Sequence, residues 1–260
     1  MNIQSFIRQK QEGVPLTLVT AYDYLSTSWA VAAGVDGILV GDSLGNVIQG
    51  RSTTLGVTIE QMIYHTEIVF RTVEQKAENS KIAPLVIADL PFPLGHTGTD
   101  ETVRLVSEII KKTGCQAVKL EGAAEDAPII HAMVRAGIPV MAHIGLRPQQ
   151  ILNLGKFSMQ RAEEILLTDA AAVAQAGAFA VVLECVEPEI SKKISQRLAI
   201  PTIGIGSGSS CDGQILVVSD VLGMDPAFVP KHARQYAQLG QTAIDALKQY
   251  KQDVQKRSFP

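Results

Sequence analysis

The chain has 260 residues, of which 46% are hydrophobic and 19% are charged, and its formal net charge is −3. This composition excludes intrinsic disorder, because it supplies enough apolar side chains for a large core. It also excludes a basic nucleic-acid surface, since 23 Lys and Arg face 26 Asp and Glu. Three scattered cysteines, no secretory signal and no run of about 20 apolar residues predict a cytoplasmic protein without a membrane partner.

Short apolar runs rich in β-branched residues recur along the whole chain and predict strands. They are Leu16–Ala21, Gly37–Ser43, Leu85–Pro91, Ala117–Gly122, Pro139–Gly145, Phe179–Val186, Pro201–Ser207 and Ile215–Asp220. Each run is almost continuously hydrophobic, which is typical of parallel strands covered on both faces.

Helix-length segments lie between most of these runs. Thr58–Glu74 has an apolar stripe at helical spacing, and Thr58 and Gln61 form a capping box at its start. Arg161–Ala176 is followed by the glycine that a helix end favours. Glu187-Pro188 opens a further helix with proline in the first turn, where no N–H is missed.

The alternation predicts an α/β protein, a single-domain (β/α)8 TIM barrel over residues 1–260 with an extra N-terminal helix and a C-terminal helix. A doubly wound open sheet is the alternative, but no glycine-rich fingerprint follows the first strand. Only Gly208–Gln214 separate the last two runs, so either the seventh helix is vestigial or the seventh strand ends early. The long connections Leu44–Val57 and Leu146–Gln160 follow strand C-termini, which form the active-site face of a barrel.

Carboxylates stand at the ends of three successive predicted strands. Asp42 ends the second, Asp89 the third and Glu121 the fourth. In a barrel these ends converge on one mouth, and an all-oxygen ligand set suits Mg²⁺. Lys119 lies two residues before Glu121 and therefore points to the same side of the strand.

Two more polar residues belong to the fifth and sixth strands. His143 ends the fifth, and Glu184 lies in the apolar sixth, where burial would raise its pKa and strengthen it as a base. Taken singly, His143 could be a satisfied core histidine. Asp42 and Asp89 could cap turns, and Glu121 could be a surface residue or simply pair with the lysine before it. Together, polar residues at five strand ends favour a functional site.

Several motifs, in this order along the chain, are similar to those of a known family. They are Thr20–Asp23, Val40–Gly45, Met62–His65, Ala88–Phe92, Val118–Gly122, His143–Leu146 with Pro148-Gln149, Leu183–Val186, Gly204–Gly206 and Asp212–Gln214. Over essentially its whole length the chain resembles the ketopantoate (3-methyl-2-oxobutanoate) hydroxymethyltransferases. The resemblance implies transfer of a hydroxymethyl group from 5,10-methylenetetrahydrofolate to 3-methyl-2-oxobutanoate, the first committed step of pantothenate biosynthesis.

The resemblance also implies the role of each site residue. Three carboxylates would ligate Mg²⁺, directly or through water: Asp42, Asp89 and Glu121. Four residues would contact the 2-oxo acid: Asp42, Ser43, Asp89 and Lys119. Glu184 would be the general base with His143 in support. The small-molecule partners would be the 2-oxo acid and the folate, with no nucleic acid, and the assembly a large homo-oligomer, a decamer.

Departures from the family pattern fall in loops. Asn46, His96–Asp100 and Ser207–Cys211 are atypical, which puts folate contacts or loop motion in doubt more than the chemistry. In the implied reaction Glu184 removes the C3 proton, while Mg²⁺ and Lys119 stabilise the enolate, whose carbon attacks the methylene unit of the folate.

Two other functions remain open from the sequence. One is a Mg²⁺-dependent carbon–carbon lyase or phosphonomutase-like barrel enzyme acting on 2-oxo acids. Such enzymes usually employ a cysteine or another acid on a mobile loop, and no loop motif of that kind is visible. The other is a non-catalytic barrel that binds without reaction.

Overall fold

Eight parallel strands, paired in chain order, close into a barrel in the computed structural model, which describes residues 1–77, 83–156 and 158–260. The strands are β1 (Leu16–Thr20), β2 (Gly37–Val40), β3 (Leu85–Asp89), β4 (Ala117–Glu121), β5 (Val140–Gly145), β6 (Ala180–Glu184), β7 (Thr202–Ile205) and β8 (Gly213–Leu216). The helices are α1 (Ile3–Glu12), α2 (Tyr24–Ala33), α3 (Leu44–Val47), α4 (Ile59–Ala77), α5 (Thr99–Thr113), α6 (Ala127–Arg135), α7 (Ile151–Leu154), α8 (Glu163–Gln175), α9 (Pro188–Arg197), α10 (Val218–Leu222) and α11 (Leu239–Gln255). The predicted (β/α)8 TIM barrel is confirmed.

The lumen of the barrel is apolar in the layers nearer the N-terminal ends of the strands. Alternate strand residues such as Leu85 and Ile87 of β3, and Ala180 and Val182 of β6, belong to one buried cluster. Because side chains alternate between the two faces of a strand, the next inward position on β3 is Asp89. The alternation that places apolar side chains in the core therefore also places polar side chains at the mouth, where the strands have their C-terminal ends.

The capping box predicted at the start of α4 is present. Thr58 N donates to Gln61 Oε1 at 3.0 Å, and Gln61 N donates to Thr58 Oγ1 at 3.3 Å. Each side chain satisfies a backbone donor that the helix leaves without a partner. The helix packs against α2, which is itself capped by Asp23 accepting from Ser26 N at 2.9 Å.

The extra N-terminal helix is also confirmed. Phe6 of α1 is fully buried and meets Phe179 edge to face, with ring centroids 6.0 Å apart. Phe179 directly precedes β6, so the pair lies at the N-terminal ends of the strands. Helix α1 therefore covers the end of the barrel opposite the mouth.

The link between β7 and β8 has no helix in residues 206–212, all of which the structure describes. β7 ends at Ile205, two residues before the predicted end. The seventh helix is therefore missing from these described residues, and the seventh strand also ends early. The prediction for the eighth strand was wrong at both ends, since β8 spans Gly213–Leu216 and Val218 begins α10. The apolar run that suggested a strand there continues into a short helix. Over so few residues, hydrophobic periodicity does not distinguish a strand from a helix.

The chain divides into two compact units, Met1–Ile215 and Leu216–Pro260. In the second unit, Gly240 N donates to Gly223 O at 2.9 Å, and α11 has no buried residue. The predicted C-terminal helix is α11, which begins at Leu239. That residues 1–260 act as one domain stays a prediction. No helix among the described residues is both long and apolar enough to cross a membrane.

Candidate active site

The predicted site residues lie at the C-terminal ends of neighbouring strands. Asp89 of β3 is in register with Lys119 of β4, and Glu121 of β4 is in register with His143 of β5. Glu184 is the last residue of β6 and is in register with the final residue of β5. All five continue the inward-facing pattern of the apolar cluster, so they share the mouth of one lumen.

The carboxylates of Asp42, Asp89 and Glu121 form an acidic group at the mouth. Asp89 is the centre of its hydrogen bonding. Lys119 Nζ donates to its Oδ1 at 2.7 Å, and the backbone N–H of Asp42 donates to its Oδ2 at 3.1 Å. The Lys119 and Asp89 side chains are only 6% and 1% exposed, so little solvent screens the pair. The ends of β2, β3 and β4 are therefore joined through one carboxylate.

A residue that sequence reasoning did not assign to the site completes this network. Gln149 follows β5, and its Nε2 donates to Asp42 Oδ2 and to Leu90 O, both at 2.9 Å. Its backbone N–H donates to Glu121 Oε2 at 3.0 Å. The only available signal was its place in a matching motif at the start of the long connection Leu146–Gln160, of which residue 157 lies outside the described part.

His143 and Glu184 form the other side of the mouth. His143 Nε2 lies 3.4 Å from Glu184 Oε2, and its Nδ1 lies 3.9 Å from Glu121 Oε1. Neither ring nitrogen has a hydrogen-bond partner among the described residues, although both are buried. His143 is thus not the satisfied core histidine that its sequence position allowed, and it places an imidazole between two carboxylates.

Burial raises the pKa of Asp89 to about 7; Lys119 opposes this rise, and the charge of Asp42 adds to it. The pKa of Glu121 is also raised well above its ordinary range, again mainly by burial. Burial alone would lower the pKa of Lys119, but Asp89, Glu121 and Asp42 outweigh it and hold the ammonium charged. The carboxylates of this group, when ionised, therefore carry more negative charge than Lys119 balances.

The pKa values of the other two polar groups shift in opposite directions. Burial raises the pKa of Glu184 to about 8, Lys119 opposes that rise, and Asp42 and Asp89 reinforce it. Burial, followed by the charge of Lys119, lowers the pKa of His143 well below its ordinary value. At neutral pH His143 is neutral, and Glu184 is a carboxyl group poised to titrate, as a general base requires.

Ser43 lies directly after Asp42, and its hydroxyl group is hydrogen-bonded to a tyrosine that follows β1. Tyr22 Oη and Ser43 Oγ are 2.8 Å apart, and Tyr22 itself is 1% exposed. The backbone carbonyl of Tyr22 lies 2.7 Å from His65 Nδ1, which ties the tyrosine to α4. Tyr22 was known from the sequence only as part of a motif, because its contact with Ser43 joins two separate strand ends.

The carboxylates are linked through Lys119, Gln149 and the backbone N–H of Asp42, but they are not a closed ligand set. In the described residues, no group of three His, Cys, Asp or Glu side chains is arranged to hold a metal ion. Lys119 instead bonds to Asp89, and Gln149 bonds to Asp42 and Glu121. The structure therefore brings together the predicted residues as an acidic pocket with a lysine, and their role as metal ligands stays a prediction.

A closed barrel with acid, base and lysine side chains at its strand C-termini defines a (β/α)8-barrel enzyme. The sequence model of the family described as ketopantoate hydroxymethyltransferase matches residues 1–260. The chain belongs to the ketopantoate hydroxymethyltransferase family, so the predicted family and the predicted enzyme class are confirmed.

Two relatives illustrate the extent of the match. The 3-methyl-2-oxobutanoate hydroxymethyltransferase of Rhodopirellula baltica is 47% identical over 253 residues, 97% of this chain and 91% of that protein. The protein of the same name from Desulforapulum autotrophicum is 45% identical over 256 residues, 98% of this chain and 94% of that protein. Similarity at this level spans both compact units of the chain.

Solved structures of other enzymes share the barrel. A phosphonopyruvate hydrolase complex with oxalate and Mg²⁺ superposes with a TM-score of 0.64 and 13% identity, covering 99% of this chain and 88% of that one. A phosphoenolpyruvate phosphomutase from Streptomyces platensis subsp. rosaceus gives a TM-score of 0.64 and 16% identity, covering 98% and 88%. At these identities the likeness concerns the fold.

Proposed function

We propose that this enzyme transfers a hydroxymethyl group from 5,10-methylenetetrahydrofolate to 3-methyl-2-oxobutanoate, giving 2-dehydropantoate (ketopantoate) in pantothenate biosynthesis. The observation that carries the proposal is the acidic pocket around Lys119, at the mouth of a barrel whose whole chain matches the family. A 2-oxo acid is an anion that becomes more negative as it loses a proton. A buried ammonium beside ionisable carboxylates is suited to bind it and to hold that added charge.

The pocket suits a divalent cation by the chemistry of its donor atoms. Its donors are all carboxylate oxygens, and the raised pKa values of Asp89 and Glu121 reflect buried negative charge without enough compensation. Asp42, Asp89 and Glu121 would hold Mg²⁺, which as a Lewis acid supplies stabilisation of negative charge on the substrate oxygens. The phosphonopyruvate hydrolase on the same fold, in complex with oxalate and Mg²⁺, supports a cation of this kind.

Lys119 and Ser43 would bind the 2-oxo acid, together with Asp42 and Asp89. The ammonium of Lys119 is buried and kept charged, so its attraction for a substrate anion is weakly screened. Ser43 is oriented by its hydrogen bond with Tyr22 and can turn its hydroxyl group toward a carboxylate or a ketone.

Glu184 would take the C3 proton of the substrate. Its side chain retains 18% exposure, so one face is open to a ligand, and a pKa of about 8 makes it a strong base once ionised. Added positive charge in the pocket would lower that pKa and favour the ionised form. Neutral His143, 3.4 Å away, would support the proton transfer as a positioning group or as a donor to the carboxylate.

The remaining expectations belong to the same proposal. We infer a cytoplasmic enzyme that assembles as a homo-oligomer, a decamer, and whose residues 1–260 act as one domain. The three cysteines Cys115, Cys185 and Cys211 are free thiols, which suits a reducing compartment.

The proposal is tested by incubating the protein with 3-methyl-2-oxobutanoate, 5,10-methylenetetrahydrofolate and Mg²⁺. We expect ketopantoate and tetrahydrofolate in equal amounts, and no product when EDTA replaces Mg²⁺. Release of a smaller 2-oxo acid from a longer one in the absence of folate would instead identify the lyase alternative. No turnover and no metal-linked change in thermal stability with the oxo acid would indicate a non-catalytic barrel.

A further inference from the structure

Gln149 hydrogen-bonds to residues at the ends of three strands, although the proposed reaction assigns no step to a glutamine there. Its side-chain amide donates to Asp42 Oδ2, after β2, and to Leu90 O, after β3, each at 2.9 Å. Its backbone N–H donates to Glu121 Oε2, at the end of β4, at 3.0 Å. A single residue of the connection after β5 therefore touches two of the three carboxylates proposed to hold the cation.

The contacts of Gln149 are specific to an amide of this length. Both amide hydrogens are used, and both partners are acceptors, which fixes the orientation of the nitrogen. Glutamate would face a carboxylate and a carbonyl oxygen with no donor. Asparagine is one methylene shorter and would not span both acceptors from the same backbone position.

These bonds determine which oxygens the carboxylates can offer. Gln149 occupies one oxygen of Asp42 and one of Glu121, so the second oxygen of each is available and the plane of each carboxylate is restrained. Groups that hydrogen-bond to metal-binding carboxylates orient them, and their loss typically weakens metal binding about 10–100-fold. We propose that Gln149 is a positioning residue that orients Asp42 and Glu121 for a divalent cation. This inference rests on the proposed function.

The test measures Mg²⁺ binding directly, by isothermal titration calorimetry of MgCl₂ into the metal-free protein. Gln149→Met keeps the length and volume of the side chain but removes both amide donors. We expect its Mg²⁺ dissociation constant to rise about tenfold. In turnover, the Mg²⁺ concentration for half-maximal rate should rise similarly, while kcat at saturating Mg²⁺ changes less than threefold.

Two further variants separate positioning from folding. Gln150→Ala changes the neighbouring residue, whose N–H closes the turn onto Arg147 O, and should bind Mg²⁺ as the unchanged protein does. Gln149→Asn keeps an amide that reaches only one of the two acceptors, so its affinity should lie between those of Gln149→Met and the unchanged protein. Far-UV circular dichroism and the melting temperature without metal should be the same for all three.

The outcomes distinguish this inference from the proposed function. Unchanged Mg²⁺ affinity in Gln149→Met, together with lost affinity in Asp89→Asn, overturns the role of Gln149 and leaves the metal site standing. Equal losses in Gln149→Met and Gln150→Ala, or a loss that follows the melting temperature, also overturn it, because the effect is then structural. If the unchanged protein binds no Mg²⁺, the metal part of the proposed function fails as well.

Discussion

Both ends of the barrel hold a lysine bonded to an aspartate, at almost the same distance. At the N-terminal end of the strands, Lys10 Nζ lies 2.6 Å from Asp212 Oδ2. At the mouth, Lys119 Nζ lies 2.7 Å from Asp89 Oδ1. The two pairs differ in their surroundings, and we interpret the first as structural and the second as part of the proposed active site.

Both members of the pair at the N-terminal end make further hydrogen bonds. Asp212 Oδ2 also accepts from the backbone N–H and from the hydroxyl of Thr202, both at 2.8 Å. Lys10 makes a second bond to Ser195 O at 2.9 Å. Asp212 O accepts from Leu16 N at 2.9 Å, which links the β8 side of the barrel to β1. This network joins β7, β8 and β1 where the helix between β7 and β8 is missing.

The pair at the mouth is surrounded by further carboxylates. Asp42, Glu121 and Glu184 accompany it, and the raised pKa values of Asp89, Glu121 and Glu184 express the cost of their burial. A protein selected only for stability would not gather these groups. The comparison therefore predicts that substitutions at the mouth act on activity and substitutions at the opposite end act on stability.

The largest effect is expected for Glu184→Gln, which removes the proposed base but keeps its shape. Exchange of the C3 proton of 3-methyl-2-oxobutanoate with deuterium, followed by NMR, should slow by about 10³-fold, while the oxo acid still binds. Glu189→Gln, an exposed position on α9, is the control and should exchange at the normal rate. Normal exchange in Glu184→Gln would remove Glu184 from the role of base.

A smaller loss is expected for Lys119→Met, which removes the ammonium bonded to Asp89. The value of kcat/KM should fall about 10²-fold, with KM for the oxo acid raised and kcat lowered, because the ammonium faces charge that grows in the transition state. Steady-state kinetics at saturating folate measure both parameters. Lys112→Met, on an exposed lysine of α5, should leave them unchanged. A change in KM alone would mean that Lys119 only binds the substrate.

At the other end, Lys10→Met should lower the free energy of unfolding by about 2–3 kcal/mol, because Asp212 loses its cation while only 20% exposed. Urea denaturation at pH 7 measures the loss. The value of kcat/KM at 25 °C should stay within about twofold of normal. A large loss of activity without loss of stability would break the comparison between the two ends.

A further difference between the two ends is expected in the pH dependence of the stability of the metal-free protein. Asp89 and Glu184 have folded pKa values of about 7 and about 8, above the unfolded values of about 4. The folded state therefore binds more protons between pH 4 and 8, so stability falls as pH rises through that window. We expect the free energy of unfolding to decrease from pH 5 to pH 8.5 in EDTA, measured by urea denaturation, and to decrease less in Glu184→Gln or with Mg²⁺. A flat profile in EDTA would show that the carboxylates are not strained by burial.

The barrel, and the placement of the candidate site residues at its strand ends, could be predicted from local patterns in the chain. Continuous apolar runs indicated parallel strands, and the spacing of two between Lys119 and Glu121 placed both on one face, because strand periodicity is a local property. The position of each carboxylate at a strand end then followed from the run that precedes it. The eighth strand was misplaced because the apolar run there is too short to distinguish a strand from a helix.

Which groups meet across the mouth depends on how the separate strands pack together. The bonds from Gln149 to Asp42 and Glu121 and from Tyr22 to Ser43 join residues from different strand ends, so no local pattern encodes them. The pKa values of Asp89 and Glu184 likewise depend on burial and on charges brought close by the closure of the barrel. Periodicity fixes the direction in which a side chain points, whereas its partners and its charge are fixed only when separate strands pack together.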